Sequence, residues 1–159
     1  MSLEENNGGL PSKIIMMNRM ILNSSRVTQE LNRRLKQKLN LSIAKFEALI
    51  AIENATDNAI TMSNLSKELQ VSNANITGLT TRLQADGLIQ KAPLASDRRI
   101  YSVSLTEKGQ LKLEKAVEKH GAWMKELMAC VENNEVDFMN GFLDKFDHQI
   151  EFFSNKRGA

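Results

Sequence analysis

Between Thr61 and Gly109 the apolar residues change period, and that change restricts the chain more than any other feature of its sequence. Leu65 and Leu69 stand one helical turn apart, and Ile76, Leu79 and Leu83 recur at intervals of three and four, so each of two short helices owns one narrow apolar stripe. The spacing predicts a helix from Thr61 to Leu69, a tight turn through Gln70 and Val71, and a second helix from about Ser72 to Asp86. Two extended runs follow, Leu88–Ala92 and Arg99–Leu105, separated by the turn-prone Pro93, Leu94, Ala95, Ser96 and Asp97. Two helices joined by a short turn and backed by a hairpin make a winged helix-turn-helix.

Away from its stripe the second helix carries Ser72, Asn73, Asn75, Thr77, Gly78, Thr80, Thr81, Arg82 and Gln84. An exposed helix chosen for stability favours Glu, Lys, Arg and Gln, because Ser, Thr and Asn compete for backbone bonds and cost roughly half a kcal/mol each. A helix that enters a major groove has a different need: short donors and acceptors near base edges, and no carboxylate facing phosphate. Ser72 suits the N-cap, which points the positive end of the helix the same way. At the hairpin tip, Asp97 can hold Arg99 as a bidentate pair so that the planar cation projects into a narrow minor groove, while Arg98 reaches a phosphate. Two blander readings fit the same residues. One is an ordinary helix pair, or a winged helix that binds protein; the other is an exposed turn whose ion pair contributes about 0–1 kcal/mol.

Leu41-Ser42, Phe46, Leu49, Leu65-Ser66, Leu69-Gln70-Val71-Ser72, Thr77, Leu79, Arg82-Leu83 and Gly87-Leu88-Ile89 form one ordered series. It ends on Asp97-Arg98-Arg99 and Leu105-Thr106-Glu107-Lys108-Gly109. The series resembles the MarR family of winged-helix transcriptional regulators, most specifically in the wing pattern Asp-x-Arg followed by Leu-Thr-x-x-Gly. The resemblance implies a homodimer on a pseudo-palindromic operator, usually repressing, and often released by a small anionic or phenolic effector or by oxidation. By residue match it assigns Asp97 and Arg99 to the wing, and Ser72, Thr77 and Arg82 to DNA contact. Many members carry Thr-Arg where this chain has Thr77-Gly78, so a long cation is missing from the middle of the second helix. Either the backbone approaches DNA closely there or a contact is lost; a winged helix that has lost DNA binding would show the same gap.

The remainder of the chain frames that lobe. With 159 residues, 42% hydrophobic and 25% charged, the composition is that of one soluble domain with a modest core. The expected class is mostly α: six helices with a two-stranded wing and a helical dimerisation lobe. Residues 1–10 read as a polar tail and 11–159 as a single domain, with the DNA-binding lobe at about 41–109 and the dimerisation lobe at about 11–40 and 110–154. From Pro11 a long helix runs to about Leu39, with Ile14, Met17, Ile21, Val27, Leu31 and Leu35 as its stripe. It is the basic part of the chain, Lys13, Arg19, Arg26, Arg33, Arg34, Lys36 and Lys38 standing against Glu30 alone. That charge reads first as a solvated face, and otherwise as a border to DNA or to an anion. Ser42 should cap the next helix, which ends near Asn54, with Ala55–Ile60 a short connection.

After Thr106, Leu113, Val117, His120, Met124, Leu127 and Val131 follow seam spacing, and Asn133-Asn134 should break the helix. A last helix from about Glu135 to Ser154 brings Phe138, Phe142, Phe146 and Phe153 at near-helical spacing. Such surfaces call for cover from a partner subunit.

No nucleophile, acid-base pair or phosphate-cradling loop is legible, so no catalytic residue is expected. His120, His148, Cys130 and Glu126 lack metal-ligand spacing, so neither a metal nor any other cofactor is expected. The absence of an apolar run long enough to cross a bilayer, and a lone cysteine, predict a cytoplasmic protein with no membrane partner. Cys130 beside Met128 and Val131 reads as core; the alternative is a thiol-based redox sensor. His120 reads as a satisfied histidine on the seam, or as an anchor for a carboxylate-bearing ligand. Met16, Met20 and His120 are the candidate lining of an effector pocket, against the plainer reading of methionine as core filling.

Overall fold

The computed structural model describes residues 11–56, 59–94, 97 and 99–155. The 1–10 tail and Arg98 lie outside the described residues. Elements follow in the order α1 (Ser12–Leu39), α2 (Ile43–Glu53), β1 (Ala59–Thr61), α3 (Met62–Glu68), α4 (Asn73–Ala85), β2 (Ile89–Pro93), β3 (Tyr101–Leu105), α5 (Glu107–Leu127) and α6 (Asn133–Asn155), with a 3-10 turn at Met128–Cys130. This is the mostly helical winged-helix class that the sequence predicts. Contacts divide the chain into two compact units, Met1–His120 and Gly121–Ala159. No helix among the described residues is long and apolar enough to cross a membrane.

Helix starts are set by side-chain caps. Ser42 accepts from the Lys45 N–H, Thr61 from Asn64 and Ser72 from Asn75. Two ends are closed by left-handed residues, Asn40 at φ 47° after α1 and Gln70 at φ 52° after α3. The Gln70 turn is fastened by the Val71 N–H, which donates to the Ser66 carbonyl at 3.0 Å.

The sheet differs from expectation by one strand. Its order is β1-β3-β2, all antiparallel, so the predicted two-stranded wing gains a third strand from the segment assigned to a connection. Ile60 pairs with Val103 on one side and Lys91 with Val103 on the other, which makes β3 central and buries Val103 completely. A strand of three residues has too little alternation to stand out in sequence.

The core of the first unit is drawn from every element before α5 except β1, whose residues are half-buried, and from the first turns of α5. Leu35, Leu41, Leu49, Ile52, Leu65, Ile76, Leu83 and Val103 are fully buried, and Leu113 and Ala116 join them. The stripe of α1 is therefore divided: Leu31 and Leu35 are inside, while Ile14 and Ile21 are exposed at 45% and 60%. Thr80, which the sequence assigns to the outer face of α4, is buried, and its hydroxyl is satisfied by the Ile76 carbonyl at 3.0 Å.

In the second unit α6 buries no residue, and Phe142 stacks on Phe146 at 5.7 Å between ring centroids. The break between the last two helices comes earlier than Asn133-Asn134. Helix α5 stops at Leu127, the 3-10 turn follows, and Asn133 already opens α6.

Candidate nucleic-acid interface

Helix α4 is held from three sides before it offers anything to a ligand. Ile76, Leu79 and Leu83 face the core. At its far end Lys45 of α2 pairs with the Asp86 carboxylate, and Lys108 of α5 donates to the Asp86 carbonyl at 2.7 Å. Next to it Gly87 takes φ 71°, and its carbonyl accepts from the Thr106 hydroxyl at 2.7 Å. The same hydroxyl oxygen accepts the Gly109 N–H at 3.0 Å, while the Thr106 N–H donates to the Leu88 carbonyl at 3.1 Å. A Cβ on Gly109 would lie 1.9 Å from the Leu88 oxygen, so only glycine fits. The Leu-Thr-x-x-Gly sequence is thus a joint that anchors the end of α4 to α5. Sequence reading found the motif but not its job.

The exposed side of α4 carries Asn73, Ala74, Asn75, Thr77, Thr81, Arg82 and Gln84, with no carboxylate among them. Thr77 donates to the Asn73 carbonyl at 2.9 Å and Thr81 to the Thr77 carbonyl at 2.8 Å. With their protons committed to the backbone, both threonines present a lone pair and a methyl group outward. Ser72 Oγ accepts the Asn75 N–H at 3.3 Å, which fixes the first turn. Gly78 sits in the helix interior, where glycine costs about 1 kcal/mol relative to alanine. Nothing in the chain requires it: a Cβ there would meet only the Arg82 guanidinium, at 3.7 Å.

On the wing Asp97 grips Arg99 twice. Its carboxylate accepts the Arg99 backbone N–H at 2.9 Å, and its two oxygens accept Nε at 3.2 Å and a terminal guanidinium nitrogen at 3.4 Å. The backbone N–H first, and then the guanidinium, hold the Asp97 carboxyl below the usual carboxylate range. The arginine side chain is nonetheless 91% exposed, so the clamp orients the cation without burying it.

Other predicted residues fall elsewhere. His120 lays its ring against Phe46 of the core, with centroids 5.2 Å apart, while Met16 is exposed on α1 and Met20 is half-buried. Cys130, expected in the core, is an exposed free thiol, because α5 ends before it and the 3-10 turn carries it outward. Among the described residues no group of three or more His, Cys, Asp or Glu side chains could hold a metal ion.

Comparison with known proteins gives a consistent picture. The MarR family model matches residues 41–101, which span α2 to the start of β3. The HTH-type transcriptional repressor YetL of Bacillus subtilis (strain 168) is 28% identical over 115 residues, covering 72% of this chain and 69% of the repressor. The transcriptional regulator BldR from Sulfolobus solfataricus superposes with a TM-score of 0.70 at 29% identity, over 84% of this chain and 95% of that one. A mutant MarR from E. coli complexed with operator DNA superposes with a TM-score of 0.70 at 28% identity, over 84% and 95% of the two chains.

Proposed function

The chain belongs to the MarR family, and from that premise we propose that it is a repressor that binds a pseudo-palindromic operator as a homodimer and responds to a small ligand. The observation that carries the reading is the pairing of a carboxylate-free outer face on α4 with a guanidinium that Asp97 holds outward on the wing. The first suits a major groove and the second the adjoining minor groove. Ser72, Asn73, Asn75, Thr77, Gly78, Thr81 and Arg82 are the proposed contacts on α4, with Asp97, Arg98 and Arg99 on the wing. Arg99 works as a rigid finger; Asp97 is its positioning residue.

Two copies supply two reading helices. A two-fold dimer sets them about one DNA turn apart, roughly 34–36 Å, and so asks for an inverted repeat. The exposed apolar surface of α6 and of the first half of α1 supports that assembly: Ile14, Ile21, Phe138, Met139, Leu143 and Ile150 are all open to solvent in the single chain. A ligand acts on this arrangement by favouring one separation of the reading helices over another. Met16, Met20 and His120 are its proposed lining. Operator titrations and thermal melts against a panel of salicylate-like anions test that part, and a panel with no shift in either measurement contradicts it.

The DNA reading is tested by fluorescence anisotropy on fragments selected from genomic DNA with the purified protein. Arg99→Ala should weaken operator binding by about 1–3 kcal/mol and leave the oligomeric state unchanged. Retained affinity removes Arg99 from the mechanism.

A further inference from the structure

Three described arginines are paired, while Arg82 on α4, like Arg19 and Arg26 on α1, is not. Arg33 is held by Glu30 and Gln37, Arg34 by Glu30, and Arg99 by Asp97, whereas no hydrogen bond or ion pair engages the Arg82 guanidinium among the described residues. Arg82 is exposed. Its head lies back over the preceding turn, with one terminal nitrogen 3.7 Å from where a Cβ of residue 78 would be. Helical side chains lean toward the N-terminus and cover residue i−4, and here residue i−4 is the one position on α4 with no side chain to cover. Arg82 and Gly78 line one cleft of about 360 Å³ together with Ala44, Ala74 and Leu79.

Resting on the DNA-binding reading above, we infer that Gly78 and Arg82 form one base-reading unit. The guanidinium of Arg82 occupies the place that a side chain at residue 78 would take, and there it reads a guanine in each half-site. Two features of α4 support the choice of base. Guanine presents two acceptors, O6 and N7, on its major-groove edge, and a guanidinium is the group on this helix that offers two parallel donors. Thr77 and Thr81 flank the unit with protons already donated to backbone carbonyls, so they offer no donor to the two guanine acceptors and leave them to Arg82. Gly78 leaves this space open, and a side chain longer than a methyl there would compete with the guanidinium for it. The cation missing from the middle of the helix is supplied from one turn further on.

Four variants test the pair: Gly78→Ala, Gly78→Leu, Arg82→Lys and Arg82→Ala, with the Gly78→Leu/Arg82→Ala double variant to close the cycle. Each is titrated against the selected operator and against duplexes in which single G·C pairs are replaced by A·T, with thermal melts by circular dichroism alongside. The expected result is that Gly78→Leu and Arg82→Ala each lose about ten-fold or more in affinity. Both should abolish preference at the same G·C pair, and the double variant should be no weaker than either single one. Arg82→Lys keeps the charge but should lose the preference, and this reading does not depend on whether Gly78→Leu folds. Gly78→Ala, whose methyl meets the guanidinium at ordinary contact distance, should melt higher and keep the preference. Additive losses, or an Arg82→Ala defect spread equally over all duplexes, would overturn the inference and assign Arg82 to phosphate. If the native chain binds duplexes and Arg99→Ala weakens it while the G·C preference ignores Arg82, only this inference falls. If the native chain binds no duplex, the proposed function falls with it.

Discussion

Helices α4 and α6 use apolar residues at the same helical spacing and reach opposite outcomes. In α4, Ile76, Leu79 and Leu83 are 1%, 7% and 0% exposed, because α2, α3 and β2 of the same chain pack around it. In α6 no residue is buried, and Phe138 is 75% exposed. Periodicity therefore states that a face needs cover but not whose atoms supply it. The winged lobe finds its cover inside one chain and can hold α4 rigidly; the terminal helix and the first half of α1 are completed by a second copy in the function proposed here. Reading would be the property of one chain and spacing the property of two.

That contrast can be broken by substitution. Leu65→Ala empties a fully buried site in the winged lobe and should lower unfolding stability by about 2–5 kcal/mol. Its loss should be the same at every protein concentration, as followed by chemical denaturation. Phe138→Ser removes an exposed ring and should act on assembly instead, raising the dimer dissociation constant about ten-fold by sedimentation velocity while the isolated chain keeps its helix content. A concentration-independent loss of stability for Phe138→Ser would erase the distinction between the two regions.

The smallest expected effect lies on α1. Glu30 accepts from Arg33 at 2.6 Å and from Arg34 at 2.8 Å, and those two hydrogen bonds lower its carboxyl from 4.5 to about 2. A depressed carboxyl contributes stability that is fully present above its unfolded value and is lost as pH falls through the folded one. Acid melts should therefore show the native chain losing this contribution between pH 4.5 and about 2, while Glu30→Gln shows no such loss in that window. Because the cluster is exposed and solvent-screened, the difference should be slight and should fade with added salt.

Local chemistry made much of the fold legible. Ser42, Thr61 and Ser72 mark helix starts because their oxygens capture specific N–H groups, and the turn at Gln70 and Val71 shows as a gap between two apolar stripes. The Asp97–Arg99 clamp was legible for the same reason, since both partners lie two residues apart. What escaped depends on approach between distant segments. β1 exists only because β3 passes beside it, and Gly109 is glycine only because the Leu88 carbonyl crowds it. The exposure of Cys130 follows from where α5 stops, and the apolar neighbours Met128 and Val131 gave no sign of that. Arg82 over Gly78 is an intermediate case. Their separation of four is visible in the sequence, but the resting place of a long side chain is not.

The most direct test of the account is the mass of the complex in solution, measured by sedimentation of the purified chain with a selected operator duplex at low and at raised ionic strength. The account predicts a free protein of twice the 17.9 kDa chain mass, two chains per duplex, and affinity that falls steeply between about 50 and 200 mM salt as phosphate contacts release counterions. A 17.9 kDa species that leaves the duplex unbound at low salt would contradict it.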